Sequence, residues 1–476
     1  MAMPKNYIVE PQLPNSSVYV GTEGGQSEVY VGQVAEFGAA RRVYFDATKE
    51  FVSLIIGKRG SGKSFCLGSM LEGLCTTNPE SSISRIRTRR GVLLLDPMGN
   101  FWTSLFPVQG DGTERVREQW KLFEGWGMTP DDINVVVWIP AGFKRDTDHA
   151  AIQEFHVDVS DLDAADWADI LGTNLIRDPQ GVLLGEALDA IREEGWTDIQ
   201  GRKRKASRQY GIQEMIEYFE SVRAAAVAGH NADHAPQTCR AILRDFRSFS
   251  RFPLFSGGAT PLTDIIREGQ LSVLMLPARI GHDLRRVLTR LLIRRIMRDR
   301  EEASQIRNRL DFQSHIPNQE RATLESRLTG LIPRTVLAID EAQELIGDEG
   351  QEARRALEDF CLLGRNYGLS MVLATQRPSV GAISAKVRAQ VDTTIVHRLM
   401  TQEDIDVTWR DMQSTWPASV KLRDRSLDYA TLIRSLDVGQ AVVSSSHVRL
   451  ERDSGAARSF VMNVRPRVRV HGGETR

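Results

Sequence analysis

Eight consecutive residues, Gly57-Lys58-Arg59-Gly60-Ser61-Gly62-Lys63-Ser64, have the composition of a loop that wraps an anion. Glycines let successive backbone N–H groups point inward with no side chain in the way. A lysine in the seventh position reaches the β- and γ-phosphates, and the serine hydroxyl after it ligates the magnesium they carry. With Phe65 opening the helix that follows, Gly57 to Phe65 predicts a cradle for a nucleoside triphosphate and its Mg2+. A second group, Val336-Leu337-Ala338-Ile339-Asp340-Glu341, buries four apolar residues in a strand and delivers two carboxylates at its end. Asp340 is placed for the magnesium shell and Glu341 for orienting and deprotonating a water. An apolar run ending in Asp-Glu is weak by itself, because many strands end in an acidic turn. Paired with a complete phosphate loop it predicts hydrolysis, with water and not a second substrate as the acceptor.

Two further residues follow in chain order. Gln376 ends the strand Leu369 to Thr375, next in sequence after the Asp340 strand, where an amide can sense the γ-phosphate and hold the water. Its bland alternative is a satisfied polar residue at a strand end. Arg365, in Gly364-Arg365-Asn366-Tyr367-Gly368, is expected on the loop between helix and strand. From there an arginine finger reaches a neighbouring subunit's nucleotide, although by itself a surface arginine is the simpler reading. No Asn-Lys-x-Asp guanine motif occurs, so adenine is the expected base.

These groups need a scaffold that brings strand ends together. Short apolar runs at 51–56, 91–96, 134–139, 271–276, 335–340, 369–375 and 393–399 alternate with helical segments. Buried strands of this kind predict an α/β fold with a doubly wound parallel sheet. Residues 1–50 read as a small β-unit, with Val18-Tyr19-Val20-Gly21 echoed by Val29-Tyr30-Val31-Gly32. Residues 144–255 read as a helical insertion, which divides the ATPase core into 51–143 and 256–450, and 451–476 read as a C-terminal tail. A helix is expected over 283–302, followed by a polar flexible loop from Ser304 to Arg327.

Composition narrows the class. The 476 residues are 41% hydrophobic and carry a net charge of −1, so any nucleic-acid contact must come from local patches. Three candidates are Arg85–Arg90, Arg202–Lys205 and the 304–327 stretch, each of which also reads as a solvated face. Four scattered cysteines predict reduced core thiols. No apolar stretch is long enough to span a bilayer and no signal-peptide core is visible, so a cytoplasmic chain without a membrane partner is expected.

Taken in order, the phosphate loop, Leu-Leu-Leu-Asp96-Pro97-Met98-Gly99, Ile-Asp340-Glu341-Ala342, Gly-Arg365-Asn-Tyr-Gly and Ala-Thr-Gln376-Arg-Pro resemble the HerA branch of the HerA/FtsK superfamily. The resemblance spans roughly residues 18 to 470. It implies a RecA-like P-loop NTPase core, a short HAS-barrel-like N-terminal unit and a homo-oligomeric, hexameric ring driven by ATP along double-stranded DNA. It also implies Arg365 as arginine finger, Gln376 as γ-phosphate sensor, Arg398 as a second basic residue reaching a neighbour's nucleotide, and a tail that braces an adjacent subunit. An acidic residue is usual in the family where this chain has Asn100. Bacterial relatives often work with a nuclease or NAD-consuming effector in antiphage defence. Two alternatives stay open: an ATP-binding scaffold that regulates such an effector, and a type IV secretion or conjugation ATPase.

Overall fold

The computed structural model describes residues 5–10, 17–21, 25–36, 41–76, 78, 81–229, 234–256, 258–313, 315–346, 351–378, 383–422, 424–450, 453–455 and 458–473. Two compact units divide the chain: 1–137 with 262–277 and 293–476, and 138–261 with 278–292.

The first unit is built on a parallel sheet. Its strands lie side by side in the order Thr393–Val396, Val52–Ile56, Leu369–Thr375, Thr335–Ile339, Gly91–Asp96 and Gln270–Met275. Val52–Ile56, Gly91–Asp96, Thr335–Ile339 and Leu369–Thr375 are buried along their whole length, which is why they read as unbroken apolar runs and not as alternating ones. Register decides what meets at their ends. Thr375 lies opposite Ile56, and Ile339 lies opposite both Leu373 and Leu95. Gly57, Asp96, Asp340 and Gln376 therefore emerge along one edge.

The sheet does not stop at the parallel core. Gln440–Ser445 adds antiparallel to Thr393–Val396, then Arg458–Val464, then Ser27–Val34 and Arg42–Asp46. The N-terminal strands are thus continuous with the parallel sheet, where the sequence suggests a separate small unit. Val464–Val470 of the C-terminal segment runs along the phosphate-loop helix, Lys63–Cys75. Fully buried Glu72 of that helix accepts from Arg467 Nε at 2.7 Å and from Val468 N at 2.9 Å. Arg465 and Arg467 are buried against their own chain, whereas the resemblance implies a tail that braces a neighbour.

One expectation is overturned outright. The stretch 304–327 is not a loop: the helix begun at His282 continues to Phe312, and a second helix occupies Asn318–Thr329. Ion pairs Arg309–Glu320 and Arg327–Glu302 staple the two. A helix that is polar on most sides is held by such pairs and lacks the apolar stripe that identifies a helix in sequence.

The second unit contains the expected insertion, with its bounds a few residues wider and with Ala278–Leu292 added. Helices Ala164–Leu171, Pro179–Asp189, Ile212–Val227 and Pro236–Phe249 contribute to it, and Trp167, Phe219 and Phe246 pack with ring centroids 4.8 and 5.0 Å apart. Within it, Arg202 and Arg204 of the basic cluster both turn onto Asp198.

Candidate functional site

The phosphate loop leaves the sheet after Ile56 and enters its helix at Lys63, with Gly62 as N-cap at φ +104°. A side chain at Gly62 would be strained by that φ and would meet the Gly439 nitrogen at 2.9 Å. A Cβ on Gly57 would come within 2.5 Å of Ser61 Oγ and 2.7 Å of His397 Cβ. The loop is floored from below: Lys58 N donates to Arg398 O, His397 N to Ile56 O and Gly439 N to Ser61 O. No acidic residue sits in the first helical turn, so its N-terminal partial charge is left to act on an anion.

Five predicted residues meet at this edge. Lys63 Nζ donates to Asp340 Oδ1 at 2.9 Å and to Glu341 Oε1 at 2.8 Å. Ser64 Oγ donates to Asp340 Oδ2 at 3.0 Å. Gln376 Nε2 donates to Glu341 Oε1 at 2.5 Å. Lys63, Asp340 and Glu341 are all buried. Burial alone would depress the lysine, but the two carboxylates outweigh it and raise its pKa above the ordinary lysine value. Glu341 is the one non-glycine residue at positive φ, +48°, among the described residues. A backbone held there costs about 1–3 kcal/mol and turns the carboxylate back toward the phosphate loop instead of away from it.

Four residues of the site carry no role that the sequence reading assigns. Gln343 Nε2 donates to Glu341 Oε2 at 2.6 Å while its side-chain carbonyl accepts from Thr375 Oγ1 at 2.8 Å, so it ties Glu341 to the neighbouring strand. His397 lies under the loop with Nδ1 2.9 Å from Gln440 O, and burial lowers its pKa to about 4. Neither Gln343 nor Thr375 belongs to a recognisable spacing, and only the fold brings them to Glu341. Asp96 reads in the sequence only as part of a motif. It accepts from Gly99 N and Phe101 N, both at 2.8 Å, and burial pushes its carboxyl up to about 7.

The remaining predicted residues lie apart from this cluster. Arg59 is exposed, Lys58 half-buried, and the Phe65 ring packs edge-on against His471 of the C-terminal segment. Arg398 is half-buried, and its Nε makes no hydrogen bond among the described residues. Arg365 is in the last turn of the helix Gln351–Tyr367, not on a loop. Its half-exposed guanidinium pairs with Asp392 Oδ1 at 2.5 Å. The other Asp392 oxygen accepts from Val52 N, which begins the phosphate-loop strand. Arg365 thus stands at the opposite end of that strand from Gly57, about 17 Å away for five residues.

The family model described as the central domain of the helicase HerA matches residues 29–296, more than half of the chain. The DNA translocase FtsK of Treponema pallidum is 30% identical over 88 residues, 18% of this chain and 11% of that protein. FtsK of Lactiplantibacillus plantarum is 30% identical over 101 residues, 21% and 12% of the two chains. The matched segments thus span about a tenth of these relatives. VirB4 of Thermoanaerobacter pseudethanolicus superposes over 93% of this chain and 98% of its own with TM-score 0.49 and 14% identity. The bacterial conjugative coupling protein TrwB does so over 89% and 86% with TM-score 0.43 and 13% identity. The chain belongs to the HerA helicase central-domain family and is a P-loop ATPase of the HerA/FtsK type.

Proposed function

We propose that this chain is the subunit of a ring, hexameric by resemblance, that hydrolyses ATP to move along double-stranded DNA. The position of Arg365 carries the reading. Every group needed for hydrolysis except a cationic finger gathers at one edge of the sheet, and Arg365 stands a strand length away at the other. It is too far to serve its own site, so an adjacent subunit's site is the one it suits.

Without nucleotide, Lys63 is shared between Asp340 and Glu341, and Glu341 has both oxygens engaged. A triphosphate entering the loop competes for Lys63 and for Gln376. Glu341 then keeps Gln343 as its tether and turns a freed lone pair to water, accepting its proton as that water attacks the γ-phosphorus and the bond from that phosphorus to the β,γ-bridging oxygen breaks, which leaves ADP and inorganic phosphate. The donor set fits a magnesium ion: Ser64 Oγ and Asp340 converge and would hold it. The chemistry such an ion would supply there is neutralisation of charge on the β- and γ-phosphates. Transition-state charge that remains would be met by Arg365, and with it Arg398, from next door.

A separate effector, a nuclease or NAD-consuming enzyme of an antiphage system, is the partner this reading expects from the family resemblance. Among the described residues no helix is long and apolar enough to cross a membrane. The test is steady-state ATP hydrolysis with and without linear duplex DNA, with particle mass followed by light scattering. A ring-sized particle whose hydrolysis rises with DNA supports the motor. A ring whose hydrolysis ignores DNA and responds only to a partner protein supports the scaffold instead.

A further inference from the structure

The opposite edge of the same sheet holds an open cavity of about 440 Å³ lined by Arg87, Thr88, Arg89, Glu268, Arg307 and Arg334. Its arginines come from three chain segments. Arg87–Arg89 lead into the strand Gly91–Asp96, Arg334 precedes Thr335–Ile339, and Arg307 comes from the part of the long helix that the sequence presents as loop. Four guanidinium groups face one carboxylate. Arg334 alone among them has an ion partner, Glu50, while Arg87, Arg89 and Arg307 form no ion pair among the described residues.

Behind the cavity the crowding continues. Arg90 is buried, donating to the carbonyls of Ala47, Thr48 and Lys49, and burial with the nearby Arg334 lowers its pKa to about 10. Arg300 is lowered to about 10 in the same way, by burial and then by Arg307 and Arg334. Like charges brought this close raise the energy of the folded chain, and a bound anion removes that penalty. The lining has no aromatic ring on which a base could stack, so the chemistry it recognises is phosphate and not nucleobase. Its guanidinium groups are planar forks suited to phosphate oxygens, and most are open to solvent as a passing polymer requires.

We infer that this arginine pocket, remote from the ATP site, binds phosphates of a nucleic-acid backbone. The inference rests on the duplex-motor reading and deepens it by naming a contact surface. It needs no sequence in the DNA, because all its donors go to phosphate.

The test uses the full chain and a short fluorescent duplex, with affinity followed by anisotropy between about 50 and 200 mM salt. Each phosphate contact contributes about 0.9 to the slope of log affinity against log salt, so Arg87→Ala with Arg307→Ala should make it shallower by about 1.8. Affinity at the low-salt end should fall about tenfold or more. Arg87→Lys with Arg307→Lys keeps the charge and should retain most of the slope, which separates charge from packing. DNA-independent ATP hydrolysis should be unchanged in both variants. If the wild type binds duplex and the alanine variant keeps its slope, the pocket assignment is wrong and the motor reading stands. If the wild type binds no duplex at any salt, the motor reading and the backbone source fall together. Calorimetry with inorganic tripolyphosphate supplies the last arm: binding lost in the alanine variant while its duplex slope is unchanged would give the pocket to a free polyphosphate and overturn the backbone source.

Discussion

The two edges of the parallel sheet use cationic side chains to opposite ends. At the edge where strands finish, one lysine is divided between two carboxylates, all three are buried, and the cation is fully engaged within the chain. At the edge where strands begin, arginines crowd a cavity that holds a single carboxylate. A cation held by its own chain is a resting state that a substrate opens by offering its own anion to the lysine. A cluster of cations without partners is incomplete as it stands and is completed from outside. Arg365 belongs to the second edge, yet the chemistry it would serve belongs to the first, which ties the two ends together only when subunits meet.

The largest effect that separates the edges is expected at Arg365. Arg365→Ala should lower hydrolysis by about 10³–10⁵ while leaving nucleotide binding nearly intact, measured by ATP turnover beside fluorescent-nucleotide titration. Wild-type turnover in that variant would break the division between neighbouring sites. Next comes Glu341→Gln, which should cost about 10²–10⁴ in kcat with binding retained. Gln343→Ala should fall short of that, since it removes a tether and not the base: kcat drops, and Gln343→Asn recovers little because the shorter amide cannot span Glu341 and Thr375. An unchanged kcat would show that Gln376 alone suffices.

A smaller effect is expected beneath the loop. His397 is neutral in the fold, with a pKa near 4 against an ordinary value of 6.5. The unfolded chain takes up a proton that the folded chain refuses, so this contribution is fully present above about pH 6.5 and is lost as pH falls toward 4. Chemical denaturation at pH 7 and pH 5 should differ by about 2 kcal/mol from this residue. His397→Gln should remove that part of the difference, and a variant whose stability falls as steeply as the wild type would place the acid sensitivity elsewhere.

Much of the first edge was legible because its chemistry is written in contiguous residues. The loop octet, Asp340-Glu341 and Gln376 each sit at the end of an apolar run, and parallel pairing then aligns those ends. What escaped detection lies across the strands. Gln343 and Thr375 are neighbours only through the register, and His397 matters because glycines let the loop descend onto it. The second edge escaped almost wholly. Arg87 and Arg89 were visible as a basic run, but Arg307 was assigned to a loop, because a helix stapled by ion pairs has no apolar period to announce it. Arg465 and Arg467 lie in the tail that the resemblance implies braces a neighbour, and their burial on Glu72 follows from the return of the chain to its own phosphate-loop helix.

The most direct test of an ATP site worked from a distant DNA contact is the rate of ATP hydrolysis titrated with linear duplex, for the wild type and the Arg87→Ala, Arg307→Ala variant. The expected result is equal rates without DNA, the same stimulated maximum, and about tenfold more DNA needed by the variant to reach half of it. A wild type that DNA does not stimulate, or two titrations that superimpose, would contradict the account.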